Sequence, residues 1–347
     1  MVKIPVAIVG ATGYTGVELV RLLADHPNVT IAALTSRENE GKSFSSIYPA
    51  FTGKKGLVLS KLNVSEVAKK IKAAFLCLPH HESMTVTADF RSRGVRVIDL
   101  SADFRLKDPA LYEKWYGRHT EKTLLASAVY GLPEMYRKEI GGAKLVATPG
   151  CYPTSIILGL APLLKERLID PADIICDSKS GTSGAGRSLK TDSLFCEVHE
   201  NFRPYNIDNH RHVAEINQEV SILAGEAVSV LFSPHLLPID RGILSTLYVK
   251  PIKRLKGDDL LKKFSAFYRN EPFIQILPEG IWPATKNVRG TNVCQIGLKI
   301  VSEGGRIVVV TAIDNLTKGA SGQAVQCFNL MHDLPETTSL NLSPLLP

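Results

Sequence analysis

The sequence predicts an α/β chain in two parts, a parallel-sheet domain followed by an α+β domain with a largely antiparallel sheet. Three observations carry this. A strand-like run, Lys3 to Val9, passes through a glycine turn into a helix, and strands and helices then alternate as far as Ala147. Beyond Thr148-Pro149-Gly150-Cys151-Tyr152-Pro153-Thr154 that rhythm stops. The later strand-like runs, Ile174 to Ser180, Val228 to Pro234, Gly242 to Lys250, Val293 to Lys299 and Ile307 to Ile313, are separated by loops or stand as antiparallel pairs. Regular alternation implies parallel strands with crossovers, and its loss implies an α+β arrangement.

The first part reads as Rossmann-type. GATGYTG, Gly10 to Gly16, lies between the first strand and an amphipathic helix, Val17 to Ala24, and Val29 to Leu34 closes the unit. Glycines at 10, 13 and 16 allow a tight turn and let backbone approach a pyrophosphate at a helix N-terminus. Gly10, Thr12, Gly13, Tyr14, Thr15 and Gly16 are therefore candidate dinucleotide contacts. An NAD site usually places an acidic residue at the end of the second strand. Here that end reads Leu34-Thr35-Ser36-Arg37, and a hydroxyl with a guanidinium suits a 2′-phosphate, so NADP is the expected cofactor. A strand over Ala73 to Leu78 brings Pro79 to the same side, since ligands sit beyond the C-terminal strand ends. After a helix over Met84 to Arg93 and a strand over Val95 to Leu100 comes SADFR, in which Arg105 is a candidate anion contact or an internal ion pair.

Cys151 sits on the turn that opens a helix-like run, Ser155 to Leu164. Helix N-terminal amides favour negative charge, so a thiol there leans toward thiolate, the form that attacks carbon. Pro153 fits a first turn, where its missing N–H costs nothing. The glycine-rich loop Ser180 to Arg187 permits close approach to a ligand. Asn209-His210-Arg211-His212 opens another helix, and one of its two histidines is expected to move protons beside the cysteine. Their spacing, with no evident third ligand, makes no metal site. The run Asp314 to Gly319 precedes a helix over Ala320 to Leu334 that is expected to pack on the first domain, and an extended surface arm is expected from Pro335. The domains are expected at 1–149, completed by a C-terminal helical segment 315–347, and at 150–314.

Composition narrows the class. Six cysteines, at 77, 151, 176, 196, 294 and 327, form no CxxC, which argues for a reducing compartment and a cytoplasmic protein. No apolar run is long enough for a bilayer, so no membrane partner is expected. The formal charge of +7 is dispersed rather than blocked, which speaks against nucleic acid.

Together GATGYTG, SADFR, YGLPE, PGCYPT, SGAGR and HRHVAEI occur in an order that resembles the N-acetyl-gamma-glutamyl-phosphate reductase family over nearly the whole chain. That family shares its plan with aspartate-semialdehyde dehydrogenase. The resemblance implies NADPH-dependent reduction of an acyl phosphate, N-acetyl-glutamyl 5-phosphate, to the semialdehyde through a cysteine thioester, with release of phosphate, in arginine biosynthesis. By position it implies Cys151 as nucleophile and His212, or else His210, as the proton-transfer residue. It places Ser36, Arg37, Ser183, Gly184 and Asn315 on NADP, and Arg105, Arg187 and Tyr205 on substrate. A homodimer or homotetramer is expected, since antiparallel sheets of this type commonly bury a face between subunits. A reductase of carrier-bound aminoadipyl phosphate or aspartyl phosphate would use the same machinery. A cysteine hydrolase would not need GATGYTG, and a non-catalytic NADP-binding protein would not need Cys151.

Overall fold

The structure is a computed structural model that describes residues 3–54, 56–301 and 305–346 of the 347. The chain divides into two units. The first comprises the residues up to Pro149 together with Ala320–Asn341; the second comprises Gly150–Gly319 and the residues from Leu342 onward. Residues 315–319 and the chain end thus group with the second unit, whereas the sequence had placed all of 315–347 with the first.

The first unit holds a parallel sheet of seven strands: β1 Ile4–Val9, β2 Val29–Thr35, β3 Leu59–Ser60, β4 Ala73–Leu76, β5 Arg96–Asp99, β6 Val129–Tyr130 and β7 Leu145–Ala147. Their order is β3-β2-β1-β4-β5-β7-β6. A parallel sheet is covered on both faces, so its central strands read as unbroken apolar runs. β4 is buried along its whole length, as is β1 from Val6 to Val9. The first helix is Tyr14–Leu23, three residues earlier than the Val17 start read from apolar spacing. Gly13 caps it in an extended conformation, so the glycine turn runs straight into the helix.

The C-terminal helix is shorter than expected, Gly322–Met331, and it is preceded by a π-helical turn, Thr317–Ser321. The segment after it is not a free surface arm. Glu336 pairs with Arg137 and accepts from Gln326 Nε2 at 3.0 Å. Asn329 Nδ2 donates to the carbonyls of Glu336 and Thr338 at 3.1 and 3.0 Å, and Leu340 is 2 % exposed. Polar composition in this tail reflects hydrogen bonding to its own unit rather than solvation.

The second unit holds a mixed sheet: β8 Ile169–Ser180, β9 Arg203–Pro204, β10 Leu231–Leu236, β11 Ile243–Pro251, β12 Ile274–Ile276, β13 Cys294–Val301 and β14 Arg306–Ile313. The order is β12-β13-β14-β11-β8-β10-β9. β11 pairs antiparallel with both β8 and β14, and β13 with β14, while β10 runs parallel to β8. The expected largely antiparallel sheet is therefore present, with parallel pairs toward its edges. An amphipathic helix absent from the sequence reading, Gly257–Phe267, buries Leu260 and Phe264 at helical spacing.

The helix Cys151–Lys165 is buried nearly all round, as its apolar composition requires. It begins at Cys151 itself, four residues before the apolar run. Pro162 lies inside it and offers no N–H to the carbonyl of Leu158. The hydroxyl of Tyr268 donates to that carbonyl at 2.6 Å, so the proline leaves no orphaned acceptor. Gly159 lets the helix lie close on the sheet: a Cβ there would stand 2.5 Å from Leu247 Cδ1 and 2.9 Å from Thr311 Cγ2.

Candidate active site

In the first unit, the three glycines of the turn serve different needs. Gly10 has φ +82°, and a Cβ on it would enter the carbonyl of Cys77. A Cβ on Gly16 would stand 2.7 Å from the Ala11 backbone. Both are demanded by the protein's own packing. At Gly13 a Cβ would meet nothing nearer than 3.7 Å, and its φ of −77° is open to any residue. Internal packing does not require glycine there; close approach of a ligand would. The site thus fits a dinucleotide pyrophosphate on a helix start that lacks a side-chain cap.

Around the turn, Thr12 Oγ1 lies 3.1 Å from Ser36 Oγ, and Tyr48 donates its hydroxyl to the Thr12 carbonyl at 2.7 Å. Tyr14 is 36 % exposed, Thr15 is partly exposed and Ser36 is buried. Arg37 is exposed and bidentate to Glu82, at 2.9 and 2.7 Å. Pro79 is exposed beyond β4. Arg105 is engaged within its own unit. It is 7 % exposed, with Nε donating to the Thr148 carbonyl at 2.8 Å and Nη2 to the Leu100 carbonyl at 3.0 Å. Those bonds tie the SADFR loop to the residues that precede Pro149.

Across the two units the cysteines differ in exposure: Cys196 is exposed, and Cys77 in the first unit is partly exposed. Cys176, Cys294 and Cys327 are buried, and burial drives the Cys176 thiol well above its ordinary range. Cys151 is partly exposed, at the first position of its helix. Two glycines shape its surroundings. A Cβ on Gly319 would stand 2.8 Å from Cys151 Cβ. A Cβ on Gly150 would stand 2.8 Å from both ring carbons of His212 beside Nε2, and closer still to Nε2 itself. The imidazole of His212 therefore lies directly against the residue that precedes the cysteine.

The two histidines are not equivalent. His210 Nδ1 accepts from the His212 backbone N–H at 3.1 Å and so caps the helix His212–Ala224. Burial, aided by Arg211, lowers the His210 pKa to about 4, which keeps the ring neutral and fit to accept. His212 instead leaves Nε2 beside the cysteine turn, so the two rings have different surroundings. The difference has a pH signature. His210 binds its proton in the unfolded chain near 6.5 and in the folded chain only near 4. Its stabilising contribution is present above about pH 6.5 and is lost as pH falls toward about 4. Asp99 works in the opposite sense, its carboxyl pushed up to about 6 by burial and then by Asp103. Melting temperatures measured from pH 7.5 to pH 4.5 are expected to fall less steeply in His210→Asn than in the parent, and equal slopes would contradict the capping assignment.

Tyr205 joins the cluster through its hydroxyl, which donates to that of Tyr152 at 3.1 Å; Tyr152 in turn donates to the His235 carbonyl at 3.2 Å. Burial raises the pKa of Tyr205 to about 12, and Cys151 contributes in the same direction. Arg187 is exposed, in the loop after Gly186. Asn315 is 2 % exposed, accepts from Gly242 N–H at 2.7 Å and donates to Ser183 Oγ at 2.9 Å; Gly184 stands beside it. Glu215 was not among the expected residues. It is 1 % exposed, and its Oε1 accepts from the Gly150 N–H at 2.8 Å. Its position three residues after His212, on the same helix face, was the only sequence signal for it.

Two family models match the chain: the semialdehyde dehydrogenase NAD binding domain over residues 5–143, and the semialdehyde dehydrogenase dimerisation domain over residues 151–315. N-acetyl-gamma-glutamyl-phosphate reductase of Citrifermentans bemidjiense is 53% identical, the match covering 99% of this chain and 100% of the relative. The chain belongs to the N-acetyl-gamma-glutamyl-phosphate reductase family. The family's protein from Moorella thermoacetica is 51% identical over 99% of this chain and all of its own. Among solved structures, aspartate semialdehyde dehydrogenase II of Vibrio cholerae superposes with a TM-score of 0.73 at 18% identity, over 96% of this chain and 99% of that one. At that identity the likeness to the dehydrogenase is one of fold. The reductase family and the dehydrogenase therefore share the two-sheet architecture seen here. Among the described residues no helix is long and apolar enough to cross a membrane.

Proposed function

We propose that this chain is an NADP-dependent N-acetyl-gamma-glutamyl-phosphate reductase that works through Cys151. The observation that carries the reading is the seating of His212 against the residue before a partly exposed, helix-initial cysteine, in a chain about half identical to reductases of that name. Cys151 attacks the acyl carbon, the C–O bond to phosphate breaks, and a thioester forms with phosphate as leaving group. Splitting one substitution into two steps lowers each barrier. His212 takes the thiol proton as Cys151 attacks; when the later alkoxide collapses to the carbonyl, the C–S bond breaks, semialdehyde leaves, and the departing sulfur takes the proton back from His212 or stays as thiolate. The Cys151 backbone N–H at the helix start supports the tetrahedral oxyanion. The nicotinamide cofactor supplies the hydride. The turn Gly10–Gly16 would hold its pyrophosphate, with Ser36 and Arg37 on the 2′-phosphate. Tyr205 and Arg187 are the proposed substrate contacts, and Ser183, Gly184 and Asn315 are further proposed cofactor contacts.

The Arg37–Glu82 pair bears on cofactor choice. A bidentate carboxylate occupies the guanidinium fork that a 2′-phosphate would use. Glu82→Gln is expected to tighten NADP binding by about 3- to 10-fold, the scale of one exposed charged contact, and to leave NAD affinity nearly unchanged. Fluorescence titration with both dinucleotides checks this, and an equal change for both would contradict it.

A second copy of the chain is the proposed partner. One face of the second sheet lies under helices; the other leaves Ile175, Leu244, Thr246, Tyr248, Val308 and Val310 half-exposed. Such a face suits self-association as a dimer or tetramer. A cytoplasmic location is proposed from the cysteines, none of which is in a disulfide. The activity itself is tested in the reverse direction with N-acetylglutamate semialdehyde, phosphate and NADP, beside aspartate semialdehyde. Preference for the aspartyl substrate would overturn the assignment.

A further inference from the structure

Two side chains of one helix converge on Gly150. His212 lies against its Cα, and Glu215, one turn further on, accepts its N–H at 2.8 Å. Gly150 is also the cap of the helix that begins at Cys151, with φ −65° and ψ 156°. Displacing its peptide plane would move the first turn of that helix, and the cysteine with it. A glutamate 1 % exposed is costly to bury, and here its Oε1 meets the backbone donor of the residue that links nucleophile and imidazole. Gly319 lies so close to Cys151 that a Cβ on it would stand 2.8 Å from the cysteine Cβ.

We propose that Glu215 is a positioning residue: by holding the Gly150 amide it fixes the register between the Cys151 thiol and the His212 imidazole. It touches neither substrate nor cofactor and acts through Gly150. This inference rests on Cys151 and His212 being the working pair, as proposed above. A nucleophile and base held within hydrogen-bond reach lose about 10²-fold in rate when misplaced by about 1 Å.

The test uses the full-length protein and two readouts. One is the rate of Cys151 alkylation by iodoacetamide across pH 6 to 9, read by peptide mass so that exposed Cys196 does not interfere. The other is steady-state reduction. Glu215→Ala is expected to slow turnover about 10²-fold with KM within about threefold, and to shift the pH dependence of alkylation. Glu215→Gln keeps an acceptor oxygen for Gly150 and is expected to recover at least about a tenth of the parent rate. If the alanine variant does not fold, Glu215→Asp gives the same reading, because it keeps the charge and withdraws the oxygen by one methylene. An alkylation profile in the alanine or aspartate variant identical to the parent's would overturn the proposal, and so would a glutamine variant as impaired as alanine. Alkylation needs no substrate, so it reports on Glu215 even if the substrate assignment fails.

Discussion

Cys151→Ala is expected to abolish reduction, lowering turnover by about 10⁴-fold or more, while the affinity for NADP stays within about twofold. The loss should be that large because the thioester route is removed altogether and no neighbouring nucleophile replaces it. The sulfur is partly exposed at the start of its helix, whereas Cys176, Cys294 and Cys327 are buried within the fold and poorly placed to substitute. Cofactor binding should persist because the glycine turn, Ser36 and Arg37 belong to the first unit, and the cysteine to the second. His212→Asn should slow turnover by about 10²- to 10⁴-fold, the range for loss of a general acid–base. His210→Asn should act chiefly on stability, as expected for a cap. Turnover retained in Cys151→Ala, by stopped-flow or steady-state assay, would remove the covalent mechanism and leave a dinucleotide-binding protein of another kind.

Asp314→Ala is expected to have the largest effect on folding. Asp314 is fully buried and accepts four hydrogen bonds besides its ion pair with Arg241: Oδ1 accepts from the Leu316 and Thr317 amides at 2.8 and 3.1 Å and from Arg241 Nη2 at 3.0 Å. Oδ2 accepts from the Gly290 amide at 2.7 Å and pairs with Arg241 Nε at 2.9 Å. Truncation strands a largely buried guanidinium and three amides. Removing one partner of a buried ion pair costs about 3–5 kcal/mol. In a unit of this size that corresponds to a fall in melting temperature on the order of 10 °C. Asp314→Asn, which keeps one acceptor oxygen, should lose less. The carboxylate also sets the turn that carries Asn315, so both variants should weaken the Asn315–Ser183 bond and with it activity at permissive temperature. A calorimetric shift below about 2 °C in the alanine variant would show that the pair contributes little.

Several features were readable without coordinates because they rest on local chemistry. The glycine turn after β1, the helix at Cys151 and the loss of strand–helix alternation past Ala147 follow from backbone permissions and apolar periodicity. The matching sheets, parallel in the first unit and largely antiparallel in the second, follow from the same pattern. Motif order pointed to the reductase family before any fold was available. Apolar spacing alone dates the first helix from Val17, whereas it starts at Tyr14, because a glycine cap carries no apolar residue to mark it.

What needed the tertiary structure was the partner of each polar group. Arg105 reads equally well as an anion clamp or a brace, and only folding shows its fork on two backbone carbonyls. His210 and His212 are alike in sequence until the first is seen capping the helix and the second lying against Gly150. Glu215 is one acidic residue among many on helices until its oxygen meets an amide 65 residues away in the chain. Periodicity and turn chemistry are short-range and are written in neighbouring residues. Hydrogen-bond pairing between distant segments depends on how strands and helices stack, and no local pattern encodes it.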